Sequence, residues 1–407
     1  MGKSHNTHFR NYYTSMSGNT LYFHNLTNPR VVPEFIFSVN RLIKKFGHKE
    51  IVLDFENAGY AYAYPITTIV GIIHYLKNKY DVKFLINAKG SYFYNLGILD
   101  QYSADYSGLN CLNKIWSYNN SDEVNIITTK MMKSIRRYSS CTSGVLDTCE
   151  WGLCEVLDNV VIHSEIKQGF VMGSVNAKNE IINICVFDYG IGIYNSLSKS
   201  SHRPKNETDA ITLAIKEGVT SGAGQGYGLA GLMKIIQEND GGLTILSGKG
   251  GLKYRKRDQK VFSFEDIVLF DKDHPSTTVN FYLKTNNKVS VEDTIGKNYT
   301  NIELEKLEND KDEIVFKIKD QALGTATRPE AEKIRNEIIN IFHATRQTVI
   351  IDFSGVAIIS SSFADELIAK MISKFGFIQF QKIFKILNTN FPIRSIIDKA
   401  IEKRMSK

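Results

Sequence analysis

Three polar residues share one face of a segment that otherwise has the pattern of an apolar helix. Glu155, Asn159 and His163 are spaced i, i+4 and i+8 within residues 151–163. At about 100° per residue this spacing places them in a single stripe. Leucine and valine fill the other faces, which predicts a buried helix. Because a buried carboxylate or amide without a partner costs a few kcal/mol, a ligand, a metal ion or a water network must satisfy the stripe.

Two further motifs combine the end of a strand or the start of a helix with glycines. Residues 181–188 form an apolar strand pattern that ends at Asp188, and the glycines at 190 and 192 would let a ligand approach the backbone closely. A carboxylate at this point suits a hydrogen bond from an exocyclic amine. Residues 222–228, Gly-Ala-Gly-Gln-Gly-Tyr-Gly, precede a helical pattern over 229–238. The N–H groups and the positive dipole end of such a helix favour phosphate.

Together these motifs resemble the Bergerat ATP-binding fold of the GHKL superfamily, which includes gyrase, histidine kinases and MutL. The matching residues are Glu155 and Asn159 (N-box), Asp188, Gly190 and Gly192 (G1 box), and Gly224, Gly226 and Gly228 (G2 box). Their order, their spacing and a later strand pattern over 276–283 all fit. The resemblance covers residues 118–287 and implies a two-layer α/β sandwich, in which a mixed sheet packs on helices.

The resemblance also implies a role for each motif residue. Asp188 would bind the adenine amine with help from Thr277 through a water, and Asn159 would ligate Mg²⁺. Glu155 would be the base that orients an attacking water or a substrate hydroxyl. The remaining nucleotide-binding positions are Gly190, Gly192, Gly224, Gly226, Tyr227, Gly228 and Leu229. His163 is either a phosphate contact or an ordinary helix histidine, and the alternative for the whole set is a structural relic that binds no nucleotide.

Residues around the G2 box allow other interpretations. Residues 226–231 satisfy the dinucleotide pattern Gly-x-Gly-x-x-Gly, but a helical pattern over 210–217 stands where that motif needs a strand, so we reject it. Residues 194–223 resemble an ATP lid, with an ordinary solvated loop as the alternative. Residues 252–258 resemble a basic edge strand, whose charges would protect the edge from pairing or, less favoured, contact nucleic acid.

The composition limits the class of protein that can carry these motifs. The chain has 407 residues, of which 43% are hydrophobic and 23% charged, which excludes disorder and coiled coil as overall descriptions. Its net charge of +7 is too diffuse to require nucleic acid. Five cysteines without a Cys-x-x-Cys motif favour a reduced, cytoplasmic setting, and residues 1–20 lack a secretory signal. The uncharged segment 57–76 contains Pro65 and several polar residues, so we expect strand, loop and buried helix there and no membrane contact.

The two ends of the chain repeat one pattern. The run 51–55, Ile-Val-Leu-Asp-Phe, matches 349–353, Val-Ile-Ile-Asp-Phe, and an apolar helix pattern follows each, over 67–77 and 363–372. Residues 301–407, which include a helix pattern over 329–343, resemble STAS-like domains, the class of the bacterial anti-anti-sigma factors. The N-terminal copy, about residues 18–110, matches more weakly. We therefore predict three domains: STAS-like over 1–115, ATP-binding over 116–288 and STAS-like over 289–407.

A serine marks the STAS-like resemblance. The phosphoacceptor of that family aligns with Ser361, between Ser360 and Ser362, whereas the N-terminal copy has Tyr62, Ala63 and Tyr64. The alternative for these serines is helix capping alone, which contributes about 1 kcal/mol.

Two functions remain open at this point. We favour a Mg²⁺-dependent ATPase that acts as a conformational switch for partner proteins in signalling or phage defence, with dimerisation expected from the superfamily. The alternative is an anti-sigma-type serine kinase that acts on a STAS-domain serine such as Ser361. A histidine kinase would need a phosphoacceptor histidine in a helical hairpin ahead of the ATP-binding domain, and this sequence offers no candidate for it. A topoisomerase or MutL protein would need a transducer domain after the ATP site, where a STAS-like pattern follows instead.

Overall fold

The computed structural model describes residues 12–216, 218–219, 228–263, 275–295, 307, 309, 313–345 and 347–406. Within these ranges three β-sheets form, one after another along the chain, and helices pack on each of them. The predicted mixed α/β class is confirmed.

The first sheet spans residues 14–87 and has the strand order β1-β2-β3-β4. Its first pair is antiparallel and the other two pairs are parallel. The elements are β1 Thr14–Ser17, β2 Thr20–Phe23, α1 Val31–Asn40 (continued by a π-helical turn, Arg41–Lys45), β3 Glu50–Asp54, α2 Ala63–Tyr80, β4 Lys83–Asn87 and α3 Tyr92–Asn95.

The second sheet is the largest, and the predicted ATP-binding motifs surround it. Its order is β10-β9-β8-β11-β7-β6-β5, with every neighbouring pair antiparallel. The elements are β5 Trp116–Tyr118, α4 Ser121–Tyr138, α5 Val145–His163, β6 Gly169–Asn176, β7 Ile181–Asp188, α6 Gly192–Ser198, α7 Glu207–Ala214, α8 Gly228–Glu238, β8 Gly242–Ser247, β9 Gly250–Arg255, β10 Asp258–Ser263, β11 Thr277–Lys284 and α9 Val291–Ile295.

Alternation along the strands gives this sheet two faces with different partners. Val186 and Phe281 lie on the face that packs against Leu157 of α5 and Leu232 of α8. Phe187, the next residue along β7, points the other way and joins the core of the first sheet. One layer of helices and one folded unit therefore cover opposite sides of the same sheet.

Helix α2 explains the long uncharged segment. It is buried along most of its length because its own sheet lies on one side and strands β6 and β7 lie on the other. The packing is tight at Gly71, where an added Cβ would lie 2.1 Å from Cδ1 of Phe187. None of the described helices is long and apolar enough to span a bilayer.

Gly71→Ala should destabilise the protein, because the methyl group would have to displace the Phe187 ring. Overpacking of this kind costs about 1–3 kcal/mol. We expect the urea midpoint, followed by tryptophan fluorescence, to fall for Gly71→Ala and to stay within error for Asn78→Ala on the exposed end of the same helix. Equal midpoints for both variants would contradict the packing of α2 between two sheets.

The third sheet is parallel throughout, with the order β12-β13-β14. Its elements are β12 Ile314–Lys317, α10 Ile318–Gln321, α11 Arg328–Thr345, β13 Val349–Asp352, α12 Ser361–Ala364 (continued by a π-helical turn, Asp365–Ala369), α13 Lys370–Phe375, α14 Phe377–Ile383, β14 Phe384–Leu387 and α15 Phe391–Met405. Helix α11 packs against α4 of the central unit.

The repeated sequence pattern corresponds to a repeated local geometry. Asp54 ends β3 and accepts a hydrogen bond from Nδ2 of Asn87 at 2.6 Å, just as Asp352 ends β13 and accepts one from Nδ2 of Asn388 at 2.8 Å. The following helix is preceded by Tyr62 in one copy and by Ser360 in the other. Each Asp–Asn pair ties the ends of two adjacent parallel strands together.

The structure corrects one prediction about an edge. The basic run 252–258 is not a single edge strand, because a tight turn with positive φ at Lys256 (53°) and Arg257 (60°) divides it between β9 and β10. β10 is the edge of the sheet and β9 lies one strand inside it.

Candidate functional site

The polar stripe of α5 faces the start of α8. An added Cβ on Gly228 would lie 2.9 Å from Oε2 of Glu155 and 3.4 Å from Nδ2 of Asn159. The polar stripe of α5 therefore meets the last glycine of the segment 222–228. A side chain at 228 would crowd both polar groups, so the glycine keeps the space between the two helices open. Leu229, which follows it, is partly buried against the core.

Asp188 ends β7 in a buried position. Its side chain is 5% exposed, and Oδ1 accepts a hydrogen bond from the backbone N–H of Gly190 at 2.8 Å. Burial raises the pKa of this carboxyl to about 7, although the Gly190 N–H acts in the opposite direction. Burial therefore favours the neutral carboxyl, and the ionised form can accept a hydrogen bond from a buried donor.

Strand register places several polar residues in one row with Asp188. Tyr118, Gly169, Asp188, Thr277 and Ser247 are successive cross-strand partners on β5, β6, β7, β11 and β8. Because partners in register point to the same face, these side chains lie on the side of the sheet covered by α5.

Ser247 fixes the Thr277 end of this row. Its Oγ lies 3.3 Å from Oγ1 of Thr277 and accepts a hydrogen bond from the N–H of Ile193 at 2.8 Å. The same hydroxyl donates to the carbonyl of Ser276 at 3.1 Å. The start of α6 is thereby attached to the ends of β8 and β11.

Local packing and backbone conformation explain why glycine is needed at positions 190 and 192. An added Cβ on Gly190 would lie 2.3 Å from the carbonyl oxygen of Ser164, just after α5. Gly192 has φ of 73°, a region that other residues rarely adopt, and Pro275 occupies the space beside it. These glycines let the turn after β7 pack against its neighbours, and their contact with a ligand stays a prediction.

Sequence reasoning missed Tyr118. Its hydroxyl is fully buried and has no hydrogen-bond partner in the described structure. Burial raises its pKa first, and the nearby carboxylates of Asp188 and Asp158 raise it further. The short strand Trp-Ser-Tyr does not by itself indicate that Tyr118 lies near Asp188, because only the register with Gly169 brings the ring toward Asp188.

His163 lies at the end of the polar stripe. Burial lowers its pKa, which favours the neutral imidazole, a form that can donate or accept a hydrogen bond without supplying a positive charge. Gly224, Gly226 and Tyr227 lie outside the described residues, and so does part of the predicted lid, of which α6 and α7 are described.

The donor set at the stripe fits a Mg²⁺ ion that phosphate oxygens help to hold. Glu155 and Asn159 offer side-chain oxygens, the donors that this hard cation prefers. No group of three or more His, Cys, Asp or Glu residues that could hold a metal ion occurs in the described part of the chain. Mg²⁺ is commonly held by one or two protein groups together with substrate phosphates.

In the third unit the three serines Ser360, Ser361 and Ser362 have different environments. Ser360 caps α12, because its Oγ accepts a hydrogen bond from the N–H of Phe363 at 3.0 Å and donates to the carbonyl of Ala326 at 2.8 Å. Ser362 lies 2.9 Å from the same Oγ. Ser361 is exposed. Capping therefore accounts for Ser360 and leaves the role of Ser361 open.

Comparison with known proteins identifies part of the third unit. Residues 330–394 match the family model of a STAS-like domain of unknown function (DUF4325). A STAS-like domain is present in this chain. The matched segment begins within α11 and contains the Ser360–Ser362 triplet.

The other comparisons add little. A mycobacterial sensor histidine kinase, MprB, is similar to the chain at 15% identity and a TM-score of 0.23, over 43% of this chain and 99% of the kinase chain. A TM-score this low does not establish a shared fold. No curated protein matches the chain.

Proposed function

We propose that the central unit binds ATP with Mg²⁺ and hydrolyses it slowly, as a switch whose nucleotide state is transmitted to the flanking units. The observation that carries this proposal is the meeting of Gly228 with Glu155 and Asn159 on the face of the sheet that also holds Asp188. The described residues of three motifs that are distant in sequence thus lie on one side of the sheet. Their residue types are the ones that adenine, Mg²⁺ and phosphate require.

Each residue would act according to its position. Asp188 would accept a hydrogen bond from the adenine amine, with Thr277 beside it in register. Asn159 would hold Mg²⁺, which supplies charge neutralisation for the phosphates. Glu155 would orient a water and take its proton as the water oxygen attacks the γ-phosphorus and the bond to the leaving ADP oxygen breaks. Gly228 leaves room for this arrangement at the start of α8.

A switch is favoured because both flanking units contact elements that bear the site. Asn340 of α11 is 1% exposed and bridges the turn between α4 and α5. Its Oδ1 accepts from the N–H of Cys141 at 3.1 Å, and its Nδ2 donates to the carbonyls of Arg136 and Ser139 at 2.9 and 2.8 Å. On the other side α2 contacts β7, the strand that ends in Asp188. We include the N-terminal unit in the proposal as a second STAS-like copy that recognises partner proteins.

A serine kinase is the second candidate, and the position of Ser361 favours keeping it. Because Ser360 performs the capping, Ser361 is left exposed at the first turn of α12. An accessible hydroxyl in a STAS-like domain could receive the γ-phosphoryl group, with Glu155 taking the hydroxyl proton.

Incubation of the purified chain with γ-labelled ATP and Mg²⁺ separates these candidates. We expect released phosphate without protein-bound label, and we expect Glu155→Ala and Asn159→Ala to lower the release by about 100-fold or more, the range seen when one catalytic group is removed. Glu165→Ala, an exposed carboxylate just beyond α5, should match the wild type. Label that is retained by the wild type and lost in Ser361→Ala would establish the kinase. No release and no label with the full chain would overturn both candidates.

A further inference from the structure

A large cleft lies on the opposite face of the central sheet from the candidate ATP site. Its volume is about 1160 Å³, and it lies between the first unit and strands β6 to β9 and β11. Asn183 and Asn280 line it, and alternation along β7 and β11 directs both away from the face of Asp188 and Thr277. Helix α2 covers the β6–β7 end of this face, and the cleft occupies the remainder.

The charges that line the cleft are all positive. Arg30, Lys253 and Arg255 belong to its wall, and among the described lining residues there is no Asp or Glu. All three cations are exposed, so they can reach a ligand at the mouth without a prior desolvation cost. This distribution favours a ligand that carries phosphate or another anion.

The floor of the cleft is a row of polar side chains set by strand register. Asn280 pairs with Thr244, and Thr244 pairs with Lys253 on the next strand. Oδ1 of Asn280 is buried and has no hydrogen-bond donor in the described structure. A buried acceptor in this state costs about 1–3 kcal/mol, which a ligand N–H would recover.

Aromatic rings complete the lining. Tyr60 and Tyr62 are 55% and 51% exposed at the first unit's side of the cleft, with ring centroids 5.7 Å apart in an edge-on arrangement. On the sheet side the ring of Tyr282 lies over Gly242, where an added Cβ would be 2.2 Å from the ring. Exposed tyrosine rings beside amides and cations are the groups that stack on and read an unpaired base.

We propose that this cleft binds a phosphorylated nucleoside, at a site separate from the ATP site. The cations would hold the phosphate, Tyr62 would stack on the base, and Asn280 would accept a hydrogen bond from a base amine or ring N–H. The volume slightly exceeds the range of about 300–1,000 Å³ that is common for small-molecule sites, so a ligand as large as a dinucleotide fits. The ligand is either a free nucleotide or the end of a single strand, which share this chemistry.

Fluorescence polarisation with a fluorescein-labelled dinucleotide, pApA, tests the proposal on the full chain. The titration is done in the wild type and in Asp188→Ala, which is expected to weaken binding at the candidate ATP site. We expect saturable binding in both. The double variant Lys253→Glu with Arg255→Glu should weaken dinucleotide binding at least tenfold. Tyr62→Ala and Asn280→Leu should each weaken the binding about tenfold, because one stacked base or one buried hydrogen bond is worth about 1–3 kcal/mol. Lys256→Glu, in the β9–β10 turn, should bind like the wild type.

The outcomes separate the new site from the old one. Binding that is lost in Asp188→Ala and kept in the cleft variants would overturn the proposal, as would no saturable binding at all. Displacement by inorganic phosphate as efficient as by AMP would overturn the nucleoside part. Displacement of the labelled dinucleotide by AMP identifies a free nucleotide as the ligand. Displacement only by a single-stranded oligonucleotide of about 15 nucleotides identifies the end of a strand. Tyr62 is more than half exposed, so its variant stays informative if Asn280→Leu fails to fold.

Discussion

Asp188→Ala is expected to weaken ATP binding by about 10- to 150-fold, because it would remove the proposed charge-assisted hydrogen bond to adenine, a bond worth about 1.5–3 kcal/mol. Asp188 ends β7 with its Oδ1 already held by the Gly190 N–H, so the carboxylate is oriented before a ligand arrives. Equilibrium dialysis with labelled ATP measures the effect. Glu165→Ala supplies the control, because its carboxylate is exposed and pairs with Lys199 on the surface.

The pH dependence of the same binding gives a sharper test. The pKa of Asp188 is raised to about 7 by burial, and only the ionised form is a pure hydrogen-bond acceptor. ATP affinity should therefore fall about tenfold between pH 8 and pH 6. Stability should change in the opposite direction. The native carboxyl keeps its proton at pH values where the unfolded one has lost it, so stability of the unliganded protein falls as pH rises from about 4 to about 7.

Asp188→Asn is the matched variant for this test. It keeps the shape and removes the titration, so both pH dependences should flatten while any contribution from the phosphates of ATP remains. An affinity that is as steep in Asp188→Asn as in the wild type would place the titrating group elsewhere. An Asp188→Ala variant that binds ATP normally would remove the adenine contact from the proposal.

Local sequence patterns predicted the elements that bear the candidate site. The i, i+4, i+8 spacing predicted the face of α5, and the apolar run 181–188 coincides with β7 residue for residue. Both signals are periodicities within one element, which follow directly from backbone geometry. Tyr118 was missed because its place depends on pairing with Gly169, about fifty residues away, and a three-residue strand has no pattern that specifies a partner.

Contacts between the units could not be predicted either, because they join residues that are distant in sequence and leave no local pattern. The burial of α2 on both sides explains its uniform apolar character, but the sequence alone could not say that its second partner is the central sheet. The need for glycine at position 71 becomes clear only from the structure, where the Phe187 ring packs against it. The basic run 252–258 was assigned to an edge because its composition suits one, and only the two positive φ values of the turn show that the chain reverses there.

A buried ion pair joins the central unit to the STAS-like domain. Nε of Arg137, at the end of α4, lies 2.9 Å from Oε2 of Glu337 on α11, and the two side chains are 4% and 6% exposed. Arg137 also donates to the carbonyl of Gln321. The two partners are two hundred residues apart in sequence, and they lie next to the contacts of Asn340 that bridge the α4–α5 turn.

Glu337→Ala should destabilise this interface by about 3–5 kcal/mol, because it leaves the Arg137 cation buried without its counter-charge. Glu332→Ala, on the same helix but at an exposed carboxylate that pairs with Arg335, should cost between about 0 and 1 kcal/mol. Hydrogen exchange measures the loss as faster exchange across α4 and α11. The same experiment tests the switch: ATP should change the protection of α11 in the wild type, and the change should disappear in Glu337→Ala while ATP binding itself persists. If ATP still alters α11 in that variant, the nucleotide signal reaches the STAS-like domain by a route other than the α4–α11 contact.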